Sequence, residues 1–166
     1  NQREDRFNWE LVFCEMYAGG KYKNNSGENY EFSLGLNGLG TCATQYSSEY
    51  MDVYSYDGVH LSEIHFQKGD PVTELQVRDL EKKEKRTGTV IKWRPDLDVF
   101  TDIDIPLEFF DDVMHRQAVV NSGIRFVFKY ENENGKFEEK AYYYERGIAD
   151  YLTELAGENT LTAPVL

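Results

Sequence analysis

A glycine-rich stretch with an adjoining lysine is the part of this sequence best suited to chemistry. Residues 18–41 read AGGKYKNNSGENYEFSLGLNGLGT and contain six glycines, with Lys21 directly after a glycine pair. Glycine loses more conformational freedom on folding than any other residue, so this concentration is unfavourable unless the backbone turns left-handed or approaches a ligand closely. A flexible ammonium beside such a backbone can follow a phosphate group. The stretch therefore predicts an anion-binding loop with Lys21 as its cationic contact.

The second half of the stretch carries a more specific pattern. Residues 35–40 (GLNGLG) have the spacing G-x-x-G-x-G, and the TCATQY that follows favours a helix. Free backbone N–H groups at a helix start attract anions. The predicted phosphate cradle is the backbone of Gly35, Leu36, Asn37, Gly38, Leu39 and Gly40, with Thr41 beginning the helix. The spacing matches neither the dinucleotide fingerprint nor a Walker A loop, and a tightly turned loop without a ligand is the alternative.

The elements on both sides of this stretch must hold it in place. Apolar residues at helical spacing and runs of β-forming residues alternate along the chain. The predicted helices are residues 7–17, 37–47, 104–120 and 147–155, and the predicted strands are 51–56, 59–66, 72–77, 87–93, 124–130 and 137–144. Asp57-Gly58 and Asn134-Gly135 are hairpin turns, which require antiparallel pairing. The predicted fold is α/β (α+β), a two-layer sandwich whose mixed, mostly antiparallel sheet has helices on one face.

Composition restricts the classes of function. The chain has 166 residues, 40% of them hydrophobic, which predicts one globular domain over residues 1–166. Its net charge of −12 argues against duplex DNA binding by this segment, because affinity for phosphates is chiefly cationic. No apolar run approaches the roughly 20 residues of a membrane span. Cys14 and Cys42 lack ligand spacing, so a reduced, cytoplasmic chain is the simplest expectation.

The histidines form no metal or nucleophile motif. His60, His65 and His115 lack metal-ligand spacing with one another and with either cysteine. His60 and His65 differ by five positions along a predicted strand, which places them on opposite faces. No Ser-His-Asp or Cys-His arrangement is indicated. We therefore predict no metal ligand and no catalytic residue within this sequence.

Several strings together identify a family. AGGKY, SGENYEFS and GLNGLG resemble the ATP lid and second glycine box in the ATPase domains of DNA gyrase B subunits and topoisomerase IV. These proteins belong to the GHKL superfamily, which has the Bergerat ATP-binding fold. The resemblance continues through residues 87–89 (TGT), 93–95 (WRP), 121–124 (NSGI) and 144–148 (YERGI). It implies part of the ATPase domain of a bacterial type II topoisomerase, with residues 18–41 as its lid and glycine box.

The resemblance also assigns roles to single residues. Phe13, Tyr17, Lys21, Tyr30 and Thr89 would lie around the nucleotide. Lys21 would contact the γ-phosphate, Tyr30 the nucleoside, and Thr89 the surroundings of the adenine. Asn37 stands where bacterial gyrases usually have a histidine, and asparagine can still hydrogen-bond to phosphate oxygens.

The resemblance further implies what the parent protein does. It would bind ATP and Mg²⁺ and use ATP-driven dimer closure to pass DNA through a double-strand break, which changes supercoiling. Its partner is the A subunit of gyrase or topoisomerase IV, and other domains of the parent bind DNA. The family's general-base glutamate, Mg²⁺-binding asparagine, adenine-reading aspartate and dimerising arm precede the first residue here. The transducer lysine would lie beyond Leu166. We therefore expect the chain alone to hydrolyse ATP poorly.

Two other functions remain open at this stage. One is a different Bergerat ATPase, of the mismatch-repair or chaperone type, although AGGKY and GLNGLG together argue against it. The other is a module without catalytic activity that binds a nucleotide or an inhibitor.

Overall fold

Helices and antiparallel strands alternate through residues 6–18, 38–157 and 162, which the computed structural model describes. The chain divides into two compact units, Asn1–Ile103 and Asp104–Leu166. The helical elements are a π-helical segment at Glu10–Cys14, α1 at Gly40–Tyr46, a 3₁₀ turn at Lys82–Glu84, α2 at Leu107–Val120 and α3 at Ile148–Ala156. The strands are β1 Ser48–Asp57, β2 His60–Gln67, β3 Asp70–Pro71, β4 Gln76–Asp79, β5 Thr87–Pro95, β6 Phe126–Glu131 and β7 Phe137–Tyr142.

The sheet of the first unit is built around the β1–β2 hairpin. Its strand order is β3-β2-β1-β5, and β4 also pairs with β2. The predicted Asp57-Gly58 turn sets a register in which Met51 faces Phe66 and Val53 faces Ile64. All pairings among the described strands are antiparallel. The predicted α/β class with a mostly antiparallel sheet is confirmed, while a single domain over residues 1–166 stays a prediction.

The core of the first unit lies on one face of that hairpin. Phe13 from the π-helical segment packs with Met51, Val53, Ile64 and Phe66, all at most 6% exposed. Its ring centroid lies 5.7 Å from that of Phe66, and Trp9 lies 6.0 Å from the same ring. Trp9 and Phe13 are four residues apart, so one helical face delivers both rings.

The other face of the sheet carries polar and charged side chains beside the buried Leu61. Nδ1 of His65 lies 2.8 Å from a carboxylate oxygen of Asp52, the residue directly opposite on β1. The ring of Tyr54 meets His65 edge-on, and the Lys92 ammonium lies 5.5 Å from the Tyr54 centroid. Burial raises the pKa of Tyr54. The helical segment thus packs on the apolar face, and hydrogen-bonded and charged side chains occupy the opposite one.

Several predicted boundaries differ from the structure, and three of the differences have an evident cause. The helical segment ends before residue 17, because Glu15 is extended (φ −118°, ψ 120°) and Tyr17 has a φ of 63°. Helix α1 begins later than residue 37, because Gly38 has a φ of 64°. The predicted strand at 72–77 is wrong for residues 72–75 and confirmed for 76–77. There Thr73 Oγ1 accepts a hydrogen bond from the backbone N–H of His65 at 3.3 Å. The side chain thus takes the place of a backbone acceptor in the strand ladder, and strand pairing resumes at Gln76.

Gln45 of α1 is a buried polar residue with unmet hydrogen bonds. Its side chain is 0% exposed, and neither amide atom has a hydrogen-bond partner among the described residues. We expect Gln45→Met to raise the free energy of unfolding by about 1 kcal/mol, because an unpaired buried amide costs roughly 1–3 kcal/mol. Denaturant unfolding measures this, with the exposed Gln67→Met as the control. A loss of about 1 kcal/mol for Gln45→Met would show instead that the amide is paired.

The second unit packs α2 against the β6–β7 hairpin. Phe110 of α2 stacks on Phe128 of β6 with centroids 6.1 Å apart. Tyr144 Oη donates to a Glu154 carboxylate oxygen at 2.8 Å and lies 2.8 Å from His115 Nε2. Because the single phenol proton goes to Glu154, His115 must donate from Nε2 to the phenol oxygen. This chain of bonds joins α2 to α3 through Tyr144.

Tyr144 gives the second unit a predicted response to alkali. Burial, followed by the Glu154 bond, raises the pKa of Tyr144 from 10.0 to about 12. A raised pKa in the folded state means stability that is complete below pH 10 and is lost as pH rises toward 12. We expect the unfolding midpoint to fall over this interval, and to fall less steeply in Tyr144→Phe. Equal slopes in the two proteins would contradict this, since the other tyrosines titrate in both.

Candidate functional site

A cavity of about 520 Å³ lies on the apolar side of the first unit's sheet. Its described lining is Phe7, Asn8, Trp9, Val12, Phe13, Thr41, Val53, Ser55, Ser62, Ile64, Leu75, Thr89 and Ile91. The volume falls within the roughly 300–1,000 Å³ of small-molecule sites. The lining is mostly aliphatic and aromatic with a few hydroxyl groups, a composition suited to a flat, largely apolar ligand with hydrogen-bonding edges.

Two adjacent rows of the sheet form the floor of this cavity. Ser55 of β1 lies opposite Ser62 on β2 and opposite Thr89 on β5, so three hydroxyl side chains form one row. In the next row Val53 lies between Ile64 and Ile91. Since all six point to the same face, the floor offers hydrogen bonds at one end and aliphatic contact at the other.

The hairpin turn fixes the register that aligns the hydroxyl row. Asp57 Oδ1 accepts the backbone N–H groups of Val59 at 2.8 Å and His60 at 2.6 Å. The bond from the His60 N–H, then that from the Val59 N–H, and then the His60 side chain lower the pKa of Asp57. Together they bring it to about 2. A slip by one residue would turn Ser55 and Ser62 to the other face. The carboxylate of Asp57 therefore helps to position the site without lining it.

The wall opposite the sheet carries an unpaired hydrogen-bond donor. Nε1 of Trp9 is buried and has no hydrogen-bond partner among the described residues. Buried polar groups are normally paired, so this donor is an exception to the general rule. Thr41, at the start of α1, also lines the cavity. The first bond of that helix runs from Ala43 N to Leu39 O at 2.8 Å, so the amide of Thr41 precedes it.

The structure brings together part of the residue set predicted from the sequence. Phe13, Thr41 and Thr89 all line the cavity. Gly38, Leu39 and Gly40 lead directly into α1. Tyr17 is 63% exposed and stands apart from the described lining. Lys21, Tyr30, Gly35, Leu36 and Asn37 lie outside the described residues.

Sequence reasoning missed several residues of the lining. Ser55 and Ser62 were detectable, because the Asp57-Gly58 turn pairs them and places them on the face of Val53. Trp9 was assigned only to the core, and nothing in the sequence signals that its indole N–H is left unpaired. Leu75 comes from irregular backbone, where periodicity gives no information, and Asn8 lies in a helical turn as a polar residue outside the apolar stripe.

Comparison with known proteins shows what this chain is similar to. No family model matches the chain. It is 32% identical over 145 residues to the B subunit of DNA topoisomerase 4 from Escherichia coli K12, which covers 87% of the chain and 22% of that protein. It is 28% identical over 166 residues to the B subunit of DNA gyrase from Caulobacter vibrioides strain NA1000, which covers 94% and 20%. Over most of its length the chain is therefore similar to one region of the B subunits of gyrase and topoisomerase IV.

A solved structure shows the same similarity in fold. The 43K ATPase domain of Thermus thermophilus gyrase B, in complex with an aminocoumarin, matches with a TM-score of 0.61 and 24% identity. The match covers 73% of this chain and 32% of that one. The chain spans about a fifth of the length of the curated relatives it matches. It therefore corresponds to one region of such a protein and not to the whole.

The described residues contain neither a metal cluster nor a membrane-spanning helix. Among them, no group of three or more His, Cys, Asp and Glu side chains is placed to hold a metal ion. The described lining of the cavity contains no carboxylate, the usual protein ligand of Mg²⁺. None of the helices in the described parts of the chain is both long and apolar enough to cross a membrane.

Proposed function

We propose that this chain is the ATP-binding part of the B subunit of a bacterial type II topoisomerase. The cavity on the sheet carries the proposal: the hydroxyl row formed by Ser55, Ser62 and Thr89 lies beside an aliphatic row and close to the start of α1. The similarity to the ATPase domain of a gyrase B subunit supports a nucleotide as the ligand. The parent protein would couple ATP-driven dimer closure to DNA strand passage, with a gyrase A or topoisomerase IV A-type partner.

The geometry supports a division of labour along the nucleotide. A purine ring is flat and apolar on its faces, which suits Val53 and Ile91, while its polar edge can exchange hydrogen bonds with Thr89 and its neighbours. The phosphates would then extend toward the backbone at Thr41. Lys21 is proposed as the phosphate cation, and Tyr30 as a contact of the nucleoside. No step of this proposal is routed through Mg²⁺.

Binding, and not hydrolysis, is the role that the described lining can perform. A general base must reach the attacking water directly or through one other water. None of the lining side chains is a carboxylate, an imidazole or an amine. We propose that the groups which activate water in the intact parent come from outside this lining, so the chain alone turns over ATP poorly.

Calorimetric titration with a non-hydrolysable ATP analogue tests the proposal. We expect Thr89→Val to weaken binding about 5- to 30-fold, because one hydrogen bond to a ligand contributes roughly 1–2 kcal/mol. Thr87→Val is the matched control, since Thr87 lies on the same strand and face but does not line the cavity. Lys21→Ala should weaken binding of the analogue but not binding of adenosine, which has no phosphates.

Two results would overturn the proposal. If the wild type, Thr89→Val and Thr87→Val bind the analogue with equal affinity, the nucleotide does not occupy this cavity. A wild-type chain that is folded by circular dichroism yet binds neither the analogue nor adenosine would refute nucleotide binding by this part of the protein.

A further inference from the structure

The two cysteines of the chain lie in two different helical elements of the first unit. Cys14 is the last residue of the π-helical segment, and Cys42 is the third residue of α1. These two elements contact each other. Residues 15–41 connect the two cysteines, and this connection includes Lys21 and the glycine-rich stretch. A covalent bond between the cysteines would therefore join the two ends of that stretch.

Tyr46 shows how the two cysteines approach each other. Its hydroxyl donates to the backbone oxygen of Cys14 at 3.4 Å. Tyr46 and Cys42 are four residues apart on α1, so they share a face. Because helical side chains point back toward the N-terminus, the ring of Tyr46 extends over the turn that carries Cys42. The same face of α1 thus presents both the Tyr46 hydroxyl and the Cys42 thiol to the segment that ends in Cys14.

The electrostatic influence of the thiols agrees with this placement. Burial, and then the neighbouring Cys42, raise the pKa of Cys14. Burial raises the pKa of Cys42. Burial is the largest cause of the raised pKa of Tyr46, and Cys14 and then Cys42 raise that pKa further. The three groups therefore form one small cluster.

Exposure distinguishes the roles of the two thiols. Cys42 is 0% exposed, whereas Cys14 is only partly buried. An external reagent can therefore reach Cys14 and not Cys42. With both pKa values raised, the thiolate fraction is small near neutral pH, so both remain reduced until an oxidant and time are supplied.

We propose that Cys14 and Cys42 form a reversible intramolecular disulfide by exchange with a low-molecular-mass disulfide such as oxidised glutathione. The Cys14 thiolate attacks one sulfur of the reagent, the reagent's S–S bond breaks, and one glutathione thiolate leaves. The Cys42 thiolate then attacks the Cys14 sulfur of the mixed disulfide and releases the second glutathione thiolate. The two protons lost by the cysteines go to these thiolates, and the chain is oxidised by two electrons.

Peptide mapping under non-reducing conditions tests the bond itself. The folded wild-type chain, treated with oxidised glutathione at mildly alkaline pH, should yield a Cys14–Cys42 cross-linked peptide that dithiothreitol removes. Cys42→Ala should stop at the glutathione adduct on Cys14, and Cys14→Ala should leave Cys42 unmodified. Circular dichroism of each variant establishes that it is folded. A stable glutathione adduct in the wild type, or cross-links only between molecules, would overturn the proposal.

Discussion

Replacing Phe66 by alanine is expected to lower the free energy of unfolding of the first unit by about 3–5 kcal/mol, the usual range for removing a buried phenylalanine. Phe66 is 2% exposed and contacts the rings of both Trp9 and Phe13. Its loss removes the main surface that holds the π-helical segment on the sheet. Because that segment forms one wall of the cavity, we expect nucleotide affinity to fall together with stability.

The location of the tryptophans makes this measurement specific. Both, Trp9 and Trp93, lie in the first unit, so tryptophan fluorescence during denaturant unfolding follows that unit. Phe137→Ala is the control, since Phe137 is 77% exposed and its truncation should stay within about 0.5 kcal/mol. A loss below about 1 kcal/mol for Phe66→Ala would mean that the site collapses around the missing ring, and that the segment is anchored elsewhere.

The parts of the fold predictable from sequence are those with a strong local cause. Asp57-Gly58 predicts the first hairpin, and once the turn is fixed, the facing pairs Val53–Ile64 and Ser55–Ser62 follow from simple counting. Asn134-Gly135 does the same for β6 and β7, where Gly135 N bonds to Asn132 O at 2.9 Å. These turns act over a few residues and need no knowledge of the rest of the chain.

The misplaced boundaries share a different cause, namely tertiary or torsional detail that periodicity cannot report. The strand predicted through Thr73 fails because one hydroxyl replaces a ladder bond to His65. Helix α1 is shortened by a single positive φ at Gly38. In both cases the local pattern is favourable and the deciding interaction involves one atom or one torsion angle.

Only part of the candidate site could be predicted from the sequence. Thr89 was identified through the family resemblance and Thr41 through the glycine-rich pattern that precedes its helix, and both line the cavity. The unpaired indole N–H of Trp9 could not be predicted, because pairing depends on where every neighbouring acceptor lies. Lys21 and Tyr30, the residues on which the phosphate proposal depends most, lie outside the described residues and stay predictions.

Gly147→Ala should be the most damaging small substitution in the second unit. Gly147 precedes α3 with φ 57° and ψ −123°, a conformation that is essentially limited to glycine and costs other residues about 1–3 kcal/mol. A Cβ at this position would also lie 3.0 Å from Val119 O and 3.1 Å from Ser122 Cβ. Relieving these contacts moves backbone and should cost about 1–3 kcal/mol more.

Gly157 provides a control that separates the two causes. It ends α3 with nearly the same torsion angles, φ 54° and ψ −136°, but a Cβ there meets no atom of the described residues within 4 Å. Gly157→Ala therefore carries the torsional cost alone, and the difference between the two variants isolates the steric contact with Val119 and Ser122. Hydrogen exchange at the amides of Asp150 and Tyr151, which both bond to Gly147 O, reports the loss of the helix start. If the two variants lose the same stability, the packing of this turn against the end of α2 contributes nothing, and backbone conformation alone explains why glycine occupies position 147.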